Sequence, residues 1–230
     1  MMDHARKTLF FWDIDGTLMH CGSNGKKALN RAFFLLYGKS DAFEGTDIGG
    51  LMDGAILEQV FLRYGIPFSE RARFEETYEE VLSELLSDPG ERRILPGVPE
   101  LLDSLAKRGA CHALLTSNLR VGAYSKLRSV GLDGWFSFGG FGDGDGEKYD
   151  AAIAGLRDAE DRLQCIFALN DIWVVGDTLY DVNCAKRLGA KSLAVCTGWA
   201  SKDVLASGEP DVLVDDLGDT EELLKVLLEK

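Results

Sequence analysis

The 230 residues include 25 lysines and arginines against 38 aspartates and glutamates, a formal charge of −13, and 46% are hydrophobic. That is a globular composition, and a chain of this size buries roughly 70–75% of the surface its unfolded form exposes, so it folds without disulfides or a structural metal. The acid excess argues against nonspecific nucleic-acid binding, which needs a basic face, and it requires a local cation wherever an anionic ligand sits.

At the N-terminus His4, Arg6 and Lys7 precede the short apolar run Leu9–Trp12, which Asp13 and Asp15 interrupt. The run is too brief for a signal peptide, and no apolar stretch nears the roughly 18 residues of a membrane span. The five cysteines (Cys21, Cys111, Cys165, Cys184, Cys196) are widely spaced with no CxxC pair. Reduced thiols, a cytoplasmic location and no zinc site are expected.

Thr8–Trp12 reads as a buried strand. From about Cys21 to Leu95 no strand is evident, and three helical patterns follow one another. Ala28, Leu29, Ala32, Phe33 and Leu36 mark the first. Asp53 is placed to cap the second, which carries Ile56, Leu57, Val60 and Phe61 before Gly65 and Pro67. Phe74, Tyr78, Val81, Leu82, Leu85 and Leu86 form one stripe in the third, with the glutamates largely elsewhere. Beyond Pro96-Gly97, strands are expected at Cys111–Leu115, Phe136–Phe138, Ile172–Val175, Ser192–Cys196 and Val212–Val214. Helices over Val98–Arg108, Arg120–Val130 and Leu179–Leu188 each stop at a glycine, and a last one starts at Asp219 with Glu222 completing a capping box. The glycine-rich stretch Gly139–Gly146 reads as a flexible loop. The expected fold is α/β: a Rossmann-like, doubly wound parallel sheet from residues 1–20 and 96–230, with an inserted all-α cap subdomain over residues 21–95.

Asp13-Ile14-Asp15-Gly16-Thr17 directly follows the first strand. In a parallel sheet the carboxyl ends of the strands line the ligand crevice. Asp-Gly is also ordinary turn chemistry, but two carboxylates after five apolar residues are costly without a compensating cation. Val174-Val175-Gly176-Asp177 repeats the arrangement, with Asp181 about one turn into the following helix, where either acid could serve as a cap. Hard oxygen ligands from two strand ends suit Mg²⁺ better than zinc. Asp143-Gly144-Asp145-Gly146-Glu147 is no EF-hand, because Lys148 stands where the loop glycine belongs and Ala154 where the closing glutamate belongs. His112 alternates along a strand as a structural residue would, and His20 reads as a loop residue close enough to touch a ligand.

DIDGT after the first strand, Leu114-Leu115-Thr116-Ser117 ending the second, and Gly176-Asp177-Thr178-Leu179-Tyr180-Asp181 on a late strand resemble three ordered motifs of the haloacid dehalogenase superfamily. The helical insertion sits where that superfamily carries its C1 cap, and the chain is most similar to the phosphoglycolate phosphatase-like branch. Gly45-Thr46-Asp47 and Thr197-Gly198-Trp199 are comparable to features of that branch. The resemblance implies a Mg²⁺-dependent phosphatase acting on small phosphorylated metabolites through an aspartyl-phosphate. It casts Asp13 as nucleophile and Asp15 as acid and base. The ion would be held by Asp13, the Asp15 carbonyl and Asp177, with support from Asp181. Thr116 and Ser117 would bind phosphate, and Thr46 and Asp47 in the cap loop would contact substrate. Its third motif supplies a lysine, often in a Lys-Pro pair that is missing here. Lys148 holds the matching place, with Lys126 in the preceding helix as second choice. A phosphosugar mutase keeps both aspartates and is the enzymatic alternative; a non-catalytic binding protein on this fold is the other. Nothing in the sequence indicates a membrane partner or an oligomeric state.

Overall fold

In the computed structural model, which describes residues 7–45 and 51–228, the apolar run Leu9–Trp12 is a strand, β1, at the centre of the sheet. Phe10 and Trp12 pack into one hydrophobic layer, and Leu9 and Phe11 into the layer on the opposite face. A strand covered on both sides needs no polar alternation, which is why β1 is apolar throughout.

After β1 the chain makes a two-residue strand, β2 (Met19–His20), and then three helices: α1 (Asn24–Tyr37), α2 (Asp53–Tyr64) and α3 (Arg71–Leu85). It returns through β3 (Arg93–Ile94), antiparallel to β2 with Met19 opposite Ile94. This ribbon corrects the expectation of no strand between Cys21 and Leu95. It is too short to carry a period-2 signal. The helices close on a cluster of rings: Phe33 lies 4.8 Å from Tyr37 and 5.9 Å from Phe43, and Phe61 meets Phe74 edge-on at 5.7 Å. Such pairs favour this tilted geometry and add to the area they bury. Phe74, Tyr78, Val81, Leu82 and Leu86 are buried, as their stripe requires. The block leans on the rest of the molecule where α3 meets α5 (Arg120–Val130).

Beyond the block come α4 (Val98–Ala106), β4 (Cys111–Leu115), then α5, β5 (Gly139–Gly140) and α6 (Lys148–Leu163). The chain finishes with β6 (Ile172–Gly176), α7 (Leu179–Leu188), β7 (Lys191–Val195), α8 (Lys202–Ser207), β8 (Val212–Val214) and α9 (Thr220–Leu228). The six parallel strands stand in the order β5-β4-β1-β6-β7-β8. Leucines of α4 and α9 cover one face, and Ala151, Ala152, Ala159, Cys184, Ala185 and Leu188 of α6 and α7 cover the other. The fold is the doubly wound α/β sheet that the alternation implied. Its winding direction reverses between β1 and β6, and ligands of such sheets bind at that reversal, outside the carboxyl ends of the strands.

Three local expectations need correcting. The ladder to β4 starts at Gly139, opposite Leu114, and not at Phe136–Phe138; those two phenylalanines are buried by a loop that follows a 3-10 turn over Asp133–Trp135. Gly139–Gly146 is a built loop as well as a strand: the Gly142 N–H donates to the Asn118 carbonyl at 2.8 Å, and the Gly142 carbonyl accepts from the Gly54 N–H at 2.7 Å. Asp53 does not cap α2, which starts from an extended Met52. Its carboxylate accepts instead from the Leu119 N–H at 3.2 Å, tying the helical block to the loop after β4. The Asp219 cap is present, accepting from the Glu222 N–H at 3.2 Å. All five cysteines are free thiols. Among the described residues no helix is long and apolar enough to cross a membrane.

Candidate active site

Asp13 leaves the end of β1 with its N–H bonded to the Val175 carbonyl of β6 (2.9 Å), and Asp177 leaves the end of β6 itself, so both emerge at the winding reversal. Asp177 is fully buried and held from several sides. Its Oδ1 accepts from the Thr17 hydroxyl at 3.4 Å and its Oδ2 from the Trp199 N–H at 3.2 Å. Glycines make that seat: a Cβ on Gly16 would lie 2.6 Å from Asp177 Oδ2, and one on Gly198 would lie 1.6 Å from it. Gly16 also takes φ +87°, where other residues are strained.

Lys148 is the first residue of α6, whose start is fixed by a capping box between Glu147 and Asp150. It is buried, with Nζ 2.9 Å from Asp13 Oδ1 and 2.5 Å from Asp181 Oδ1. The other Asp181 oxygen accepts from the Thr178 N–H and hydroxyl, so Asp181 is both a cap of α7 and a partner of Lys148. Burial, only partly offset by Lys148, together with repulsion from Asp181 and Asp177, pushes the Asp13 carboxyl up to about 8. Burial and the Asp181 charge likewise raise Asp177 to about 6. The Lys148 ammonium is opposed by burial but reinforced by Asp13 and Asp181, and the net effect raises it.

A second cluster surrounds Asp15. Lys126, buried in α5, places Nζ 2.6 Å from both Asp15 Oδ2 and Asn118 Oδ1. The Asn118 amide donates to Asp15 Oδ2 at 2.8 Å and to the Thr116 hydroxyl oxygen at 2.6 Å. The Cys21 thiol donates to Asp15 Oδ1 at 3.4 Å. Burial works to raise the Asp15 carboxyl, but Lys126, Asn118 and Cys21 hold it below the usual carboxylate range. Lys126 therefore serves Asp15, while Lys148 serves Asp13. Asn118 was not singled out from sequence; its signal was its position two residues after Thr116, at the end of a buried strand.

One cavity of about 360 Å³ is lined by Asp13, Asp15, Thr116, Ser117, Asp177 and both lysines, with Tyr78 and Asp53 of the helical block opposite. Asp181 lies behind Lys148. Thr46 and Asp47 fall outside the described residues. His20 bonds through Nε2 to the Thr197 carbonyl at 2.9 Å, which makes it a tie between loops. Trp199 stands at the rim, 83% exposed.

The donor set fits a hard divalent ion. Four carboxylates (Asp13, Asp15, Asp177, Asp181) face two ammoniums, and burial, with the neighbouring carboxylates adding to it, raises Asp13 and Asp177, a cost that a bound cation would offset. Among the described residues no three His, Cys, Asp or Glu side chains form a cage by themselves. An ion here would find Asp13 and Asp177 at the two strand ends and complete its shell partly with water, in keeping with the waters Mg²⁺ retains.

A model of the haloacid dehalogenase-like hydrolases matches residues 7–189. The chain belongs to that family. A phosphoglycolate phosphatase of Agrobacterium fabrum is 25% identical over 221 residues, covering 94% of this chain and 91% of that protein. The probable phosphatase IndB of Dickeya dadantii is 29% identical over 212 residues, covering 91% of this chain and 90% of its own length. The crystal structure of CbbY from Rhodobacter sphaeroides in complex with phosphate superposes with a TM-score of 0.70 at 20% identity, over 93% of this chain and 96% of that one. The family read from the motifs is the family found, and the enzyme is a hydrolase.

Proposed function

We propose that this hydrolase is a Mg²⁺-dependent phosphatase of small phosphomonoesters, phosphoglycolate among them, and that it works in the cytoplasm. One observation carries the reading: Asp13 stands at the winding reversal beside a buried ammonium and a second strand-end carboxylate, while Asp15 faces the same cavity two residues on.

Asp13 attacks phosphorus, the bond from phosphorus to the ester oxygen breaks, and that oxygen leaves as the alcohol with a proton from Asp15. Water then attacks the aspartyl-phosphate and gives a proton to Asp15, restoring both carboxyls for the next turnover. Asp15 enters the first half carrying the proton gained from water in the previous turnover. Once that is given up, Lys126 and Asn118 hold it charged, which suits it to the second half as a proton acceptor. The Thr116 hydroxyl, fully buried with its oxygen accepting from Asn118, keeps its own proton for a phosphoryl oxygen, with Ser117 beside it. Lys148 screens Asp13 from the incoming dianion. Mg²⁺ held by Asp13, the Asp15 carbonyl and Asp177 would supply the remaining positive charge. The helical block, residues 21–95, acts as a lid entered and left through the β2–β3 ribbon, restricting access to small substrates.

The test is phosphate release from a panel of monoesters, with Mg²⁺ and with chelator. Asp13→Asn should lower turnover about 10⁴-fold or more while remaining folded. Equal phosphate release by the wild type and this variant sinks the proposal.

A further inference from the structure

The placement of Lys126 at this site follows from neither the sheet's strand ends nor the nucleophile. The side chain projects from the middle of α5, which packs on α3 and whose other buried residues are Gly122, Ala123, Ser125 and Leu127. Burying an ammonium costs several kcal/mol unless its partners are well placed, and breaking such a pair costs more than making it gains. The partners here are two oxygens at 2.6 Å, one on Asp15 and one on Asn118. Asn118 uses its own N–H groups on Asp15 and Thr116, closing a ring that joins the proposed acid to the phosphate-binding hydroxyl. Lys126 is buried, with Gly25 at the start of α1 beside its ammonium.

Resting on the phosphatase reading, we propose that Lys126 is a positioning residue that aims the Asp15 carboxyl at the leaving oxygen of the substrate. A carboxylate with a free χ1 samples several rotamers, and only one of them faces the ester. Two donors converging on Asp15 Oδ2 select that rotamer, the weakly donating Cys21 thiol holds Oδ1, and 35% of the side chain stays exposed at the cavity. It is Lys148 that bonds to the nucleophile, whereas the Lys126 ammonium bonds to Asp15 and Asn118. Its contribution is confined to the proton given to the departing oxygen and later taken back from water, and that confinement makes it separable by experiment.

The ratio of kcat/KM for an alkyl phosphate, whose alkoxide cannot leave without a proton, to kcat/KM for p-nitrophenyl phosphate, whose phenolate can, reads proton delivery alone. Both values report only steps up to departure of the leaving group, so a defect in hydrolysing the aspartyl-phosphate does not enter. Both come from one preparation, so partial unfolding cancels. In Lys126→Met the ratio should fall at least tenfold relative to wild type, and Lys126→Arg should recover part of that loss. A ratio unchanged within threefold, or one that rises, overturns the assignment and returns Lys126 to a purely structural role. A drop smaller than tenfold that Lys126→Arg leaves unimproved counts against it as well. If the wild type hydrolyses neither ester, the phosphatase reading itself has failed, and that outcome is distinct from an altered ratio.

Discussion

Around Asp13 the chain gathers four carboxylates and two ammoniums at one pocket and the wall behind it, whereas around Phe33 and Phe74 it packs rings edge to face. The first region accepts a desolvation penalty to keep charge where a phosphate can use it. The second gains from desolvation and supplies the stiffness of the helical block. Stability and catalysis are therefore expected to separate by region, and a substitution in either one asks whether they do.

The largest effect on stability is expected in the aromatic cluster. Phe74 is fully buried and touches Phe33, Phe43, Phe61 and Tyr78 through its ring. Phe74→Ala should cost about 3–5 kcal/mol in denaturant unfolding, since the ring's transfer energy and the cavity left behind both count. Turnover per folded molecule should change less than tenfold. A loss of turnover as large as that of Asp13→Asn would show that the two regions are not separable.

A smaller effect is expected from His112, a polar group set into the apolar interior. Its Nδ1 accepts from the Trp12 indole at 3.1 Å, and Nε2 lies 3.1 Å from the Leu102 carbonyl, which fixes the neutral tautomer with the proton on Nε2. The rings of Phe10, Trp12, Trp135 and Phe136 surround it. Burial, against the bond to Leu102, lowers its pKa from 6.5 to about 4. The unfolded chain therefore binds this proton first, so stability is full above pH 6.5 and falls as pH drops toward 4. The loss should be about 3 kcal/mol from this residue. His112→Gln should flatten that part of the pH profile; an unchanged slope would assign the acid sensitivity to other groups.

The same contrast explains what could be read in advance. β1, β4 and β6 were legible because strands buried on both faces are written as apolar runs. Asp13, Asp15 and Asp177 were legible because carboxylates at the ends of such runs break the local rule and need a reason. The helical stripes gave the block's existence but not its seam with the sheet. Asp53, expected as a cap, bonds across that seam to Leu119, and such a partner 66 positions away leaves no local trace. β5 was missed because its two residues are glycines, chosen for close approach: a Cβ on Gly140 would fall 2.0 Å from the Ala151 carbonyl oxygen. Whether Lys126 or Lys148 faced Asp13 depended on how α5 and α6 lie against β1, and that is set by packing.

Gly198 offers the finest test of the separation, because it lies in the charged region and has no role of its own in charge. Its φ lies outside the left-handed region, and the nearest atoms a Cβ would meet all belong to Asp177, with Oδ2 at 1.6 Å. Gly16 is less informative, since φ +87° would add backbone strain to the same clash. In Gly198→Ala either the Asp177 carboxylate rotates or the loop carrying the Trp199 N–H retreats, and each breaks the bond between them. A displacement of about 1 Å at a positioned group costs roughly 10²-fold in rate, or about 2.7 kcal/mol of barrier. Turnover should fall by that factor, and the Mg²⁺ concentration giving half activity should rise, because Asp177 is a proposed ligand. The unfolding midpoint should move less than in Phe74→Ala, since the residue touches none of the aromatic cluster. Undiminished turnover at low Mg²⁺ would mean that the Asp177 seat tolerates displacement, and the glycine would then serve packing alone.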